Sequence, residues 1–275
     1  MAHARRGKLR VAAVAGFLAA LACGFLGSAA WPQELRIASY NMERLGENRK
    51  DYRQLAIVVS TFDVVAAEEV MNAGGMSAVR DLLGPGWSDT MSESGEGSAR
   101  YLEFFGFFYD GKVRLSRRLG EFPRAHEFLR PPYGAQFVSL QSGLTFNLVA
   151  CHIVYGTSER ARRQEISHLG EVYRYFEGIT GNQGITIIAG DFNEEKPRAF
   201  QALADLDDQD AVPPRPTTLG ARGPDHAYDH IFLPPVLRAL ETAAGVDYWT
   251  TDYETRKTVS DHFPVFVAIR TDGKR

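Results

Sequence analysis

Residues 185–193, ITIIAGDFN, constrain the fold more than any other stretch of the chain. Ile185, Thr186, Ile187 and Ile188 form a run rich in β-branched side chains, which suits a buried strand. Gly190 is expected to end that strand. Asp191 and Asn193 then follow on the exit turn, one residue apart, so in extended geometry both side chains leave from one face. A carboxylate beside a carboxamide at the tip of a core strand packs poorly but can hold a water and a phosphoryl oxygen. Alone, the stretch is equally an ordinary turn, because Asp and Asn bond their own backbone in loops.

The pattern recurs. LRIASYNME (35–43), VVAAEEV (64–70), FNLVACHIV (146–154) and AYDHIF (227–232) each run a hydrophobic strand into Asp, Glu, Asn or His, and SDHFPVFVAI (260–269) sets Asp261 and His262 just before one. Carboxylates, amides and two histidines are thus carried to strand ends from across the chain, which is how a metal-assisted hydrolytic site is built.

The motifs run from Asn41 to His262 without a linker, so 275 residues read as one catalytic domain over 31–275 behind a leader. Arg5, Arg6, Lys8 and Arg10 precede an uncharged run from Val11 to Ala30, and Ser28 and Ala30 supply the small-x-small pattern of a cleavage site. Residues 1–30 are therefore expected to be a signal peptide, placing the protein in the periplasm or outside the cell. An uncleaved run of that length would be a membrane anchor instead. Past the leader only Cys151 remains, so no intramolecular disulfide is possible. Cys151 alternates with His152 and should face the opposite side, as a small buried apolar residue. The mature chain has 27 Lys and Arg against 34 Asp and Glu, a formal balance of −7. That charge gives no global basic footprint for nucleic acid. Local arginines cluster at Arg160, Arg162 and Arg163 and at Arg124 and Arg130.

Strands are expected at 35–40, 62–67, 101–109, 113–119, 135–140, 144–154 and 185–190, with two last ones carrying Asp229 and following His262. Helices are expected at 51–60, at 76–83 stopped by Gly84-Pro85-Gly86, from a Ser158 cap to Phe176, and near 197–206. The Ser/Gly/Glu-rich stretch 92–98 reads as a mobile loop and 212–216 as a Pro-rich one. The alternation of the middle strands suits antiparallel pairing, and the whole suits an α/β fold of two packed mixed β-sheets flanked by helices.

Glu69 is the leading metal anchor, because hard cations such as Mg²⁺ take oxygen ligands and need only one or two carboxylates. Glu68 should face the other way. His152 and His262, with Asp229 and Asp261 among the available carboxylates, suit proton donors whose pKa a carboxylate raises. His226 and His230 flank Asp229 as bystanders, and His126 and His168 lack any such context.

The motifs Asn41-Met42-Glu43, Glu69-Val70, Gly190-Asp191-Phe192-Asn193 and Ser260-Asp261-His262-Phe263-Pro264-Val265 together resemble the endonuclease/exonuclease/phosphatase superfamily. The resemblance covers nearly all of 35–270. It implies a four-layered α/β sandwich that hydrolyses phosphoesters with Mg²⁺ or Mn²⁺, and Ca²⁺ as a structural ion at family level. It also implies that Asn41 and Glu69 are metal-site residues, with Glu43 where some members carry a further acidic ligand and Asp261 where a metal-linked carboxylate is found. Asp191 would orient and deprotonate the attacking water, Asn193 would hold a phosphate oxygen, and His262 backed by Asp229 would serve the phosphoryl group. Tyr101-Leu102-Glu103 is similar to the Tyr-x-Glu of the deoxyribonuclease I branch, pairing Glu103 with His152. Arg130-Pro131-Pro132-Tyr133 is similar to its phosphate-contacting segment, and Ala227-Tyr228-Asp229 to its Ala-Tyr-Asp. Met71 and Glu43 stand where that branch has arginines, and its disulfide cysteines are missing. The expected function is an exported, divalent-metal-dependent phosphodiesterase, a deoxyribonuclease I-like endonuclease with nucleic acid, DNA first, as substrate and no protein partner implied. A sphingomyelinase-like or small-molecule phosphoesterase and an inactive binding module are the alternatives. A basic groove near Arg124, Arg130 and Arg160 would favour the nuclease, and an exposed aromatic hairpin at the rim the lipid enzyme.

Overall fold

The computed structural model describes residues 33–271 apart from 48, 99, 100, 157, 182–184 and 251, so the leader, with its signal-peptide and anchor readings, lies outside the described residues. The strands among them are, in chain order, β1 (Glu34–Leu45), β2 (Val64–Val70), β3 (Ser88–Met91), β4 (Glu96–Ser98), β5 (Tyr101–Tyr109), β6 (Val113–Glu121), β7 (Tyr133–Ser139), β8 (Thr145–His152), β9 (Ile185–Asp191), β10 (Gln209–Asp210), β11 (Leu219–Gly220), β12 (Gly223–Pro224), β13 (Asp229–Leu233), β14 (Glu241–Val246) and β15 (Val265–Arg270). The helices are α1 (Tyr52–Val59), α2 (Ala73–Leu83), α3 (Glu159–Ser167), α4 (Leu169–Ile179), α5 (Gln201–Ala204) and α6 (Pro235–Arg238).

One sheet has the order β14-β15-β1-β2-β5-β3, with β4 also on β5; the other runs β10-β13-β9-β8-β7-β6. Each is mixed, with one parallel pair at its centre: β1 with β2 in the first and β8 with β9 in the second. Period-two alternation gives both sheets two apolar faces. Ile37, Val64, Phe107, Phe137, Leu148, Ile187 and Val267 point between the sheets, where Phe107 meets Phe137 edge-on at 5.7 Å. Fully burying each such side chain contributes about 1.5–3 kcal/mol. Alternate residues turn outward: Ala38, Tyr40 and Val65 onto α1 and α2, and Val149, Cys151 and Ile188 onto α3, α4 and α5. These helix, sheet, sheet and helix layers are the expected four-layered sandwich, and Cys151 lies on the outer face away from His152, as alternation requires.

Four expectations change. The long helix after Ser158 is two helices broken at His168, and the apolar spacing of Ile166, Leu169, Val172 and Phe176 continues across the break, which hides it from a periodicity reading. Residues 96–98 are not wholly loop: they pair with Tyr101–Glu103 as β4. Strands β3 and β14 carry little apolar alternation and had no sequence signal, although β14 extends the first sheet beyond β15. Finally, β9 does not stop at Gly190. A Cβ there would lie 1.9 Å from the Cys151 carbonyl oxygen, so glycine lets β9 run close beside β8 for one residue more.

Candidate active site

That extra residue places Asp191 in the sheet itself. His152 pairs with Asp191 across β8 and β9, and Asp229 pairs with Asp191 across β9 and β13, so three chemical side chains stand side by side on one face. His262 joins them from the turn before β15, held by a bridge to Thr218 and by its N–H donating to Ser260 Oγ at 3.0 Å. Each imidazole has a carboxylate behind it: His152 Nδ1 is 2.5 Å from Glu103 Oε1, and His262 Nδ1 is 2.9 Å from Asp229 Oδ2. The opposite nitrogens both face Asp191, each Nε2 lying 3.6 Å from its Oδ2. Asn193, at φ +50°, turns its own N–H back onto Asp191 Oδ1 at 2.9 Å and donates its amide to the Ile153 carbonyl at 2.9 Å.

The first sheet supplies the facing half. Asn41 Nδ2 donates to Asp191 Oδ2 at 3.1 Å and to Glu69 Oε1 at 3.2 Å, while its Oδ1 accepts the Glu43 N–H at 3.0 Å. Asn41 therefore turns its nitrogen, not its oxygen, toward the two carboxylates. The register of β1 on β2 slips beyond Asn41, and Glu43, Arg44 and Glu69 all take left-handed φ values of +43°, +60° and +54°. Such backbone costs about 1 kcal/mol or more per non-glycine residue and is typical of functional sites. Here it breaks strand alternation, so Glu69 swings into the cleft although Glu68 precedes it. Glu68 does not face away as expected: it points inward beneath the site, fully buried, accepting from Ser39 Oγ at 2.8 Å. Only Glu69 of the two lines the cleft, a depression of about 550 Å³.

Tyr101 and Arg130 also line this cleft. Tyr101 donates its hydroxyl to Glu69 Oε2 at 2.8 Å, with Arg44 stacked on its ring at 4.8 Å. Arg130 is buried, bonds the His152 and Ile153 carbonyls at 3.0 and 3.2 Å and reaches Glu103 Oε1 at 3.2 Å, so it clamps the strand end behind His152. Asp261 lines the mouth near Glu43. His230 is structural, bonding Asp210 Oδ2 at 2.6 Å and the Glu194 carbonyl at 2.9 Å. His226, treated as a bystander, stands at the cleft rim stacked on Tyr228 at 4.7 Å.

Burial alone would lower both imidazoles. Glu103 outweighs it at His152, and Asp229 followed by Asp191 outweighs it at His262, which ends well above its usual 6.5. Burial pushes the Asp191 carboxyl up, against the pull of His262 and His152, which suits a group that must take a proton. Glu69 moves the other way: burial would raise it, but the positive charge of His152 and the bonds from Tyr101 and Asn41 hold it below its ordinary value, keeping it anionic. Glu69, Glu103 and His152 offer ligand atoms within 4.8 Å of one another, as do Asp191, Asp229 and His262. Glu103 Oε2 is buried without a hydrogen-bond partner, and the mouth is lined by carboxylate oxygens of Glu43, Glu69, Asp191 and Asp261. This hard, oxygen-rich donor set fits Mg²⁺ or Mn²⁺.

Three further residues escaped the sequence reading. Thr217 donates to Asp229 Oδ2 at 2.5 Å and accepts the Asp229 N–H at 3.1 Å, fixing the carboxylate behind His262; its position after a Pro-rich loop carried no hint of this. Lys50, with a wholly buried side chain, donates to the Val259 carbonyl at 2.9 Å and lies 3.4 Å from Glu43 Oε2. Ser260 donates to the Asn41 carbonyl at 2.6 Å, and its place in the Ser-Asp-His run was the one available signal.

Two carboxylate-backed imidazoles facing a buried acid across an oxygen-lined mouth serve displacement at phosphorus, and by fold and site the protein is a metal-dependent phosphoester hydrolase. No protein-family model matches the chain. It is 32% identical over 258 residues to a protein of Thioalkalivibrio sp. (strain K90mix) named deoxyribonuclease, spanning 85% of this chain and 70% of that protein. It is similar in fold to an endonuclease/exonuclease/phosphatase family protein from Bacteroides thetaiotaomicron, with a TM-score of 0.66, 20% identity and coverage of 89% of this chain and 100% of that one. The mannosyl-6-phosphatase of the same species superposes with a TM-score of 0.64 at 19% identity, over 85% of this chain and 98% of the other. A D. rerio TDP2 complexed with single-strand DNA product gives 0.61 at 18%, over 86% and 99%. The chain belongs to the endonuclease/exonuclease/phosphatase superfamily.

Proposed function

We propose that this protein is an exported nuclease that hydrolyses phosphodiester bonds of nucleic acid, DNA above all, with Mg²⁺ or Mn²⁺. The convergence of both imidazole Nε2 atoms on Asp191 Oδ2 carries the catalytic reading. The relative named deoxyribonuclease supports the substrate. Asp191 orients and deprotonates the attacking water, using the proton affinity that burial gives it. His262 and His152, held protonated by Asp229 and Glu103, donate to the phosphoryl oxygens and to the leaving oxygen, and Asn193 steadies a third oxygen with its amide. A divalent ion held by Glu69, with Asp261 and Glu43 nearby, would supply charge neutralisation at phosphorus and lower the pKa of water. Every expected catalytic side chain is assembled, which supports an enzyme over an inactive binding module. Export rests on the leader's charged start and apolar run.

One observation favours a smaller phosphoester. Arg124 is engaged by Glu127 and Glu171, and Arg130 is buried on backbone carbonyls, so these two do not form a free basic groove. The rim hairpin Leu219–Pro224 carries no aromatic side chain, while an exposed Tyr155 and Tyr101 of the β4–β5 pair line the cleft. Supercoiled plasmid incubated with the purified protein and Mg²⁺ or Mn²⁺ decides the matter. Nicking that is lost with EDTA and in Asp191→Ala supports the nuclease. Hydrolysis of bis-p-nitrophenyl phosphate without nicking moves the substrate to small phosphoesters.

A further inference from the structure

The two carboxylates that flank Asn41 are served very differently. Glu69 accepts only neutral donors, the Asn41 amide at 3.2 Å and the Tyr101 hydroxyl at 2.8 Å, and among the described residues no Lys or Arg lies within ion-pair distance of it. Glu43 has a cation of its own. The Lys50 ammonium sits 3.4 Å from Glu43 Oε2 on a side chain with no solvent exposure, and Arg256 lines the same side of the cleft, reaching the Leu219 carbonyl at 3.4 Å and stacking on Tyr253 at 4.7 Å. Lys50 is anchored as well as charged. Its bond to the Val259 carbonyl at 2.9 Å ties it to the segment that continues through Ser260 to Asp261 and His262. An ammonium held without water is costly unless carboxylates surround it, and those within its electrostatic reach are Glu43, Asp261 and Glu69.

We propose that Lys50 is a built-in counter-ion that takes the charge role of a second divalent cation, so that the cleft binds one divalent ion, on the Glu69 side, and Glu43 is not a ligand. The physical reason is competition for one volume of space. A divalent ion on Glu43 would stand against an ammonium 3.4 Å away that cannot move off without breaking its bond to Val259, whereas the positive charge that acts most on Glu69, on His152, has Glu103 Oε1 2.5 Å behind it. Lys50 is thus a positioning residue. It holds Glu43 away from the ion and fixes the Asp261-His262 segment against β1.

The inference rests on the metal-dependent reading above, and its test counts metal instead of turnover. Mn²⁺ is titrated into the full-length protein and followed by calorimetry and by the electron paramagnetic resonance of free Mn²⁺. The wild type is expected to bind one equivalent. Glu69→Gln should weaken that binding more than about tenfold, while Glu43→Gln keeps one equivalent within about threefold of the wild-type affinity. Lys50→Met, similar in length and uncharged, should reveal a second equivalent. Should Lys50→Met fail to fold, the two glutamate variants still decide. Two equivalents in the wild type, or equal losses from Glu43→Gln and Glu69→Gln, would overturn the proposal; so would a folded Lys50→Met that binds as the wild type does. One bound Mn²⁺ with no phosphodiester cleavage would sink the nuclease reading and leave this one standing, and no bound Mn²⁺ at all would overturn both.

Discussion

The two sheets meet at the cleft with opposite backbone strategies. The second sheet delivers His152, Asp191 and Asp229 as neighbours in ordinary strand register, so their spacing is set by the hydrogen-bond ladder itself. The first sheet delivers Glu43 and Glu69 only by abandoning its register and holding both in left-handed backbone. Proton transfer tolerates little error in distance, which a ladder limits. A metal anchor needs a charged oxygen pushed forward of the sheet plane, and a slipped register does that at the cost of strain. Labour is divided between the halves: the regular one handles protons and the phosphoryl group, the strained one the cation.

The sharpest way to break that division is to remove Asp191. Asp191→Ala should cut kcat by about 10³-fold or more while leaving far-ultraviolet circular dichroism unchanged, because both imidazoles lose the group they face. A mutant retaining a tenth of the activity would mean that the water is activated elsewhere. Next comes the pH profile. Burial alone would lower His262, but Asp229 raises it above 6.5, so the folded protein holds its proton to higher pH than the unfolded chain. Its stabilisation is complete below pH 6.5 and is lost as pH climbs through the folded value. A basic limb in kcat against pH should therefore lie above 6.5, and Asp229→Asn should shift it downward; an unmoved limb would disconnect Asp229 from His262.

Smaller effects test the supports. Thr217→Val removes the hydroxyl on Asp229 and leaves the shape, and should lower kcat about tenfold with less than about 2 kcal/mol lost in urea unfolding. The strained half answers differently. Glu43→Gly relieves a left-handed non-glycine residue but leaves the buried Lys50 ammonium short of its nearest carboxylate, so it should destabilise the fold by about 1 kcal/mol or more in the same assay. An unchanged or stabilised Glu43→Gly would show that the strain outweighs the Lys50 contact.

The same contrast explains what could be read from the sequence. Residues on the regular half were legible because a strand run followed by Asp or His fixes both face and position: Asp191, His152 and Asp229 needed only the alternation rule, and Glu103 came with the family resemblance. The strained half was legible in composition and not in geometry. Asn41, Glu43 and Glu69 were singled out, but period two placed Glu68 outside, and only the left-handed φ at Glu69 brings both glutamates inward. Thr217 and Lys50 act through hydrogen bonds to residues distant in sequence, which leave no periodic trace. The layers were readable from apolar runs, while β3, β14 and the break at His168 depend on packing and pairing that local pattern does not encode.

The division of labour is tested most directly by measuring cleavage rate against Mn²⁺ concentration for the wild type, Glu69→Gln and His262→Gln. Glu69→Gln is expected to need at least about tenfold more Mn²⁺ yet to climb toward the wild-type plateau, whereas His262→Gln is expected to keep the wild-type midpoint and fall about 10²-fold or more at the plateau. A shifted midpoint in His262→Gln, or a Glu69→Gln plateau that no Mn²⁺ restores, would contradict that division.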